Sequence, residues 1–297
     1  MRRATMRRPL ILLTALGILA ASCGERGPGS MGPGPGGPGG SPTGDPTGGR
    51  PSPTAEPSGG TMSFEVWFAR GDRLFVVHRT VPASPRVGTA AVEGLLAGPS
   101  DEERAAGLTT AIPGGSKLSD LTVEGGLATA DLSGAFASGG GSLSVRMRLA
   151  QLVYTLTQFP TVDGVALQLD GRPVEVFSAE GLVLDPPMVR EDFADLLPPI
   201  LVEEPAIGER VTSPVTIAGT ADVFEATVSM RILDAAGEEI VRTFTTAACG
   251  TGCRGDFEER VRFDVAEAQP GTIVVYESSA EDGSPLHAVE IPVILAP

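Results

Sequence analysis

The residues able to do chemistry in this chain are few. Its 297 residues include three cysteines, Cys23, Cys249 and Cys253, and two histidines, His78 and His287. Nucleophilic catalysis needs a base beside the nucleophile, and two histidines far apart in sequence suggest no Ser/His/Asp set. No Gly-x-Ser-x-Gly elbow and no phosphate-binding loop is present. Neighbouring acids occur at Asp101-Glu102, Glu203-Glu204 and Glu258-Glu259. A glycosidase needs two carboxylates held a set distance apart in a cleft; these pairs instead read as solvated surface acids in turn-like stretches. Cys249 and Cys253 enclose Gly250-Thr251-Gly252. A redox Cys-x-x-Cys has one residue fewer between its thiols, and a metal site would need further ligands that the histidines do not supply at ligand spacing. The favoured reading is a local disulfide in an exported protein. Nothing in the chain calls for a cofactor or a metal.

Cys23 has a different setting. Arg2, Arg3, Arg7 and Arg8 precede Leu10 to Ala21, a run interrupted only by Thr14 and Gly17. A charged start and a short apolar run form the pattern of an export signal, too short to cross a bilayer as a helix, which takes roughly 20 apolar residues. The run ends in Leu19-Ala20-Ala21-Ser22-Cys23-Gly24. Small residues before a cysteine at that point resemble the lipobox of bacterial lipoproteins. The resemblance implies a signal peptide over 1–22, diacylglyceryl transfer to Cys23, cleavage before it and acylation of the new amine. Two or more acyl chains anchor a protein that one chain, at ~0.8 kcal/mol per buried CH₂, holds only marginally. The alternative is a plain secreted protein in which Cys23 has no lipid. The expected location is extracytoplasmic, with the membrane as a partner through the lipid.

Residues 24–60 hold 14 Gly and 9 Pro in 37 positions. No apolar periodicity is present, so the segment cannot bury enough surface to offset the entropy of ordering. With Cys23 it reads as a disordered tether over 23–61, of roughly 30–35 Å r.m.s. reach. Removing the four arginines of the signal leaves 18 basic against 37 acidic residues, a formal −19. That charge disfavours nucleic acid and anionic lipid surfaces as partners.

The remaining chain must supply the elements that position any site. Over 62–190, Phe64 to Phe68 and Leu74 to His78 read as strands joined at Gly71-Asp72. Val87, Ala91, Leu95 and Leu96 recur at helical spacing until Gly98-Pro99. Ser119 to Val123 and Leu127 to Leu132 form a hairpin around Gly125-Gly126, and a second helix runs from about Ser144 to Phe159. Strands at Val165 to Leu169 and Val174 to Phe177, turning at Gly171, close the unit. The pattern predicts an α+β domain, one sheet covered by two helices. Gly94 to Pro99, Gly107 to Pro113, Ala128 to Ser133, Gln151 to Thr157 and Leu169-Asp170-Gly171, in that order, resemble the GerMN domain of sporulation and spore-germination proteins. That resemblance implies a fold similar to the small ring-building modules of secretion machines and does not imply catalysis. Gln151 and Tyr154 lie on the second helix, where they could face a ligand; hydrogen bonds at the edge of the core are the favoured reading.

Over 197–297, after Pro198-Pro199 and Glu203-Glu204-Pro205, short strands recur at Val215, Ala226, Ile240, Phe257, Ile273 and His287, separated by turns at Gly237, Gly255, Gly271 and Gly283. No helical stripe is visible, and the reading is an all-β immunoglobulin-like sandwich. Ser213-Pro214-Val215, Gly219, Val223 to Ala226, Gly255-Asp256-Phe257, Tyr276-Glu277 and Asp282-Gly283-Ser284 resemble the immunoglobulin-like domain of bacterial spore germination. Together these features predict a lipid-anchored, non-catalytic interaction or scaffold module of the cell envelope, meeting an envelope protein or the cell wall. Two other readings remain: a carboxylate-based cell-wall hydrolase, and a ligand-binding lipoprotein serving a transporter or sensor.

Overall fold

The computed structural model describes residues 60–177 and 181–297. Cys23, the signal segment and the tether up to residue 59 lie outside the described residues. The first domain opens with a long hairpin, β1 (Thr61–Arg70) and β2 (Arg73–Pro82), paired antiparallel along its whole length. Gly71 at φ 63° supplies the positive φ that a two-residue hairpin loop demands. Phe64, Val66, Trp67, Phe68, Leu74, Phe75 and Val77 are buried. The hairpin is thus covered on both faces over most of its length, and near-continuous apolar runs result.

Helix α1 (Val87–Ala97) buries Ala91, Val92 and Leu95 and ends where Gly98, at φ 80°, donates to the Leu95 carbonyl. One turn of helix, α2 (Asp101–Ala105), follows behind a capping box in which Ser100 and Glu103 satisfy each other's backbone N–H. β3 (Leu108–Thr109) then pairs with the end of β1. The hairpin β4 (Leu118–Glu124) and β5 (Leu127–Leu132) leads into α3 (Ser142–Leu156), whose crossover brings β6 (Gly164–Leu169) parallel to β5. β7 (Arg172–Pro173) pairs with β6, and β8 (Val176–Phe177) with β9 (Leu182–Val183).

The α+β expectation holds, with differences in detail. Hydrogen bonding divides the strands between a sheet β2-β1-β3 and a sheet β4-β5-β6-β7. Helices join them: α1 touches β1 and β4, and α3 touches β1, β2 and β6. Helix α2 adds a third helix, which a five-residue acidic stretch with no apolar repeat does not announce. Of the strand expected over Val174 to Phe177 only Val176–Phe177 forms, as β8 paired with β9, while β7 just before it turns back along β6.

A 3-10 segment, Arg190–Leu196, buries Phe193 and Leu196 and packs on α3. The second domain has eight strands: β10 (Ile200–Glu204), β11 (Arg210–Thr212), β12 (Val215–Ala221), β13 (Thr227–Leu233), β14 (Glu239–Thr246), β15 (Gly255–Val261), β16 (Gln269–Ser278) and β17 (Pro285–Ala296). They form two sheets, β10-β12-β15 and β11-β17-β16-β13-β14. Val215, Ile217, Phe257 and Val261 on one sheet, and Met230, Ile232, Ile273, Val275 and Ile291 on the other, fill the core between them. This is the expected sandwich. β10 lies where the prolines suggested only a join, and both domains fall within one compact unit. β2 lies beside β10, and Arg70 donates to the Glu290 carbonyl across the boundary (3.1 Å).

A candidate functional site where the domains meet

The position of the β1–β2 hairpin is set by an unusual neighbour. β1 pairs with β2 on one edge, but on the other it meets β3 only at Ala69 and Arg70. Between those limits, side chains of α3 take the role of a strand. Gln158, just past the helix end, accepts from the Glu65 N–H (2.6 Å) and donates to the Glu65 carbonyl (2.7 Å). Thr155 Oγ1 accepts from the Trp67 N–H (3.2 Å), and Gln151 Nε2 donates to the Trp67 carbonyl (3.0 Å) while its Oε1 accepts from the Ala111 N–H (2.9 Å). The spacing i, i+4, i+7 puts all three on one helical stripe. Gln151 and Thr155 are fully buried, so the Gln151 side chain is a core fixture. Tyr154 is buried too, donating to the Arg190 carbonyl (3.2 Å) and packing its ring 4.7 Å from that of Trp67.

Arg190 closes this cluster from the segment between the domains. Its guanidinium lies over the Tyr154 ring (4.8 Å) and the Trp67 ring (5.5 Å), and it bonds Thr157 Oγ1 (2.8 Å) and the Tyr154 carbonyl (3.1 Å). Burial pushes the Tyr154 phenol up, against the pull of Arg190 and Arg254. Glu65 accepts from the Trp67 indole (3.1 Å) and lies 3.9 Å from Arg190.

Above this cluster the two domains enclose a groove. Ser63, His78 and Thr80 form one wall, and the loop and strands from Glu204 to Thr216, with Glu209 and Arg210, form the other, around 650 Å³. A second hollow of 390 Å³ shares His78, Glu204 and Thr216, and adds Glu65, Glu203, Glu258 and Arg260. Cross-strand register explains the first wall, since Ser63 faces Thr80 and Glu65 faces His78.

The acidic pairs are therefore not uniformly solvated. Glu203, on β10, is half-buried; burial pushes its carboxyl above the ordinary range, Glu65 adds to the rise, and Arg190 opposes it. Asp101 is exposed in α2 and paired with Arg104. Of the histidines, His78 enters the groove, while His287 sits 3.8 Å from Glu277. Cys249 and Cys253 form the expected disulfide, with Cα atoms 5.7 Å apart. Beyond it, Arg254 reaches Thr220 Oγ1 (3.1 Å) and the Pro198 carbonyl, so the disulfide loop abuts the interdomain junction. Glu103, which sequence reasoning did not single out, is buried and forms a two-pronged pair with Arg79 (2.5 and 2.7 Å). The capping-box spacing Ser100-x-x-Glu103 was the signal that could have found it. Among the described residues, no group of three or more His, Cys, Asp or Glu is arranged to hold a metal ion, and no helix is long and apolar enough to cross a membrane.

Residues 66–175 match the family described as sporulation and spore germination, and residues 199–284 match the immunoglobulin-like domain of bacterial spore germination. The chain is a GerMN protein with a germination-type immunoglobulin-like domain. Solved GerMN structures are similar at low identity. The first GerMN domain of the sporulation protein GerM from Bacillus subtilis is 24% identical over 44% of this chain and 99% of its own, with a TM-score of 0.38. The tandem GerMN domains of the same protein are 16% identical over 80% of this chain and 61% of theirs, with a TM-score of 0.40. No curated protein matches the chain. In this GerMN protein the Gln151 to Thr157 motif, with Gln158 just after it, supplies the surrogate strand, and the hairpin it holds forms one wall of the groove.

Proposed function

We propose that this protein is an extracytoplasmic lipoprotein, anchored through Cys23, whose two-domain body is a non-catalytic docking module for another envelope protein. The observation that supports this most is the groove, because neither domain forms it alone. Its walls are polar and charged, as suits a surface that meets a soluble partner rather than a small apolar ligand. The anchor and the docking surface are tested separately. Cys23→Ala should abolish labelling by a fatty-acid probe and release the protein from membranes; unchanged labelling would end the lipoprotein reading. A photo-crosslinking amino acid at Thr216 should capture a discrete partner in intact cells, while the same probe at exposed Glu238, outside the groove, should not. Equal capture from both positions would defeat the docking reading.

Glu203 favours a second reading, a carboxylate-based cell-wall hydrolase, since a raised carboxyl beside another carboxylate suits a general acid. Glu65 is already committed to Trp67 and Arg190, which leaves it poorly placed to act as base or nucleophile. Sustained release of fragments from purified peptidoglycan, lost in Glu203→Gln, would replace the docking reading with this one.

A further inference from the structure

We infer that the groove takes an extended, cationic segment of a partner protein, which adds to the open edge of β2 as an extra strand. The inference rests on the docking reading above and narrows it to a mode and a chemistry.

The direction of the backbone decides which edge is open. Glu65 and Trp67 exchange backbone hydrogen bonds with Gln158, Thr155 and Gln151, so at these residues β1 turns its N–H and C=O groups away from β2. In an antiparallel ladder, directly opposed residues that do not bond each other both point outward, and the pattern alternates. Their register partners, His78 opposite Glu65 and Val76 opposite Trp67, must therefore point their backbone groups away from β1. Two residues on, Thr80 opposite Ser63 belongs to the same set. Among the described residues, β2 pairs with no strand except β1. β10 lies beside it without joining its sheet, and along the edge exposure rises from buried Val76 to half-buried His78 and exposed Thr80. His78 and Thr80 are also the β2 residues that line the groove. The outward groups on offer are the N–H of His78 and both groups of Thr80; the His78 carbonyl already accepts from Arg79 (3.2 Å). Pro82 has no N–H, so pairing stops there and the register is defined.

Strand addition supplies main-chain hydrogen bonds, and side chains on alternate positions supply selectivity. Here the flanking ionisable groups are Glu65, Glu203, Glu204, Glu209 and Glu258 against Arg210 and Arg260. That excess selects a segment with Lys or Arg at every second residue.

The test uses the full mature chain and four synthetic octapeptides: alternating Lys and Thr, the same with Glu for Lys, and the Lys peptide N-methylated on alternate amides in each of the two possible phases. The Lys peptide should bind, and the Glu peptide should not. One N-methyl phase should weaken binding at least about tenfold, the order of a lost hydrogen bond or two, while the other phase changes little. Bound peptide should slow amide exchange at His78 and Thr80. Thr80→Pro removes an N–H that β1 does not use, so it should reproduce the N-methyl loss; the peptide series stands independently if that variant folds poorly. Binding that ignores both N-methyl phases yet vanishes in Glu204→Lys/Glu209→Lys overturns strand addition and leaves docking by charge. No binding by any of the peptides also overturns it, and the Thr216 crosslink then decides the docking reading alone.

Discussion

Gln151→Leu tests the idea that a helix stands in for a strand. The substitution keeps roughly the volume and removes the hydrogen bonds to the Trp67 carbonyl and from the Ala111 N–H, with the longer one to Thr110 Oγ1 (3.3 Å). Gln151 is fully buried, so water cannot replace them. Each orphaned buried group costs about 1–3 kcal/mol, and the apolar leucine recovers part of the total, on the order of 1–2 kcal/mol. The net loss should be about 3 kcal/mol, a fall of roughly 6–12 °C in the unfolding midpoint for a body of this size. Urea unfolding followed by tryptophan fluorescence is a suitable assay, because Trp67 is the chain's one tryptophan and lies in the affected strand. Thr155→Val, which orphans only the Trp67 N–H, should cost about half as much. A Gln151→Leu protein within about 0.5 kcal/mol of wild type, the range of an ordinary surface change, would refute the surrogate strand.

Three further outcomes follow from described contacts. Glu103→Ala should cost about 2 kcal/mol at pH 7 by stranding half-buried Arg79. Burial pushes the Glu103 carboxyl up, but its hydrogen bonds with Arg79 and Ser100 outweigh this and hold it below the ordinary range. Its stabilisation is therefore complete above an unfolded value of about 4.3 and fades as pH falls through the lower folded value, so the variant should lose less on acidification than wild type. Glu203 has the opposite sign: its raised folded value is a penalty present above that value and absent below the unfolded one. Glu203→Gln should stabilise the protein at pH 7 and match wild type near pH 3 in the same denaturation series. Replacing Cys249 and Cys253 with serine should cost about 2 kcal/mol, the entropy of a five-residue loop, seen as a matching drop when wild type is reduced.

Elements that bury one periodic face were legible before any coordinates. Short apolar runs around a turn located β1 and β2, alternation located β5 and most of the sandwich strands, and Gly98-Pro99 marked the end of α1 because one residue needs a positive φ and the next has no N–H to continue a helix. Short elements were not legible. β10 hides between two proline-bearing stretches, since a three-residue apolar run, Ile200-Leu201-Val202, is too brief to show a period. Gly219, a residue of the immunoglobulin-like motif, acquires its reason only in three dimensions, where a Cβ would overlap the Leu201 carbonyl. The groove was least visible. Glu203 and His78 are 125 positions apart, and no local spacing reveals that one hollow holds both. Gln151 and Tyr154 read correctly as residues with hydrogen bonds at the core edge, but the partner of Gln151, the backbone of Trp67, lies 84 residues away.

The stripe of side chains along α3 also governs valency. A sheet with two exposed edges can accept a neighbour on each side, and repeated pairing then grows without limit. Here Gln151, Thr155 and Gln158 occupy the far edge of β1 from within the same molecule, so the β2-β1-β3 sheet is closed on that side. A strand added at β2 extends the sheet on that side only, because the far edge of β1 is already occupied. That one-sidedness allows association through β2 while blocking head-to-tail fibre growth through this sheet.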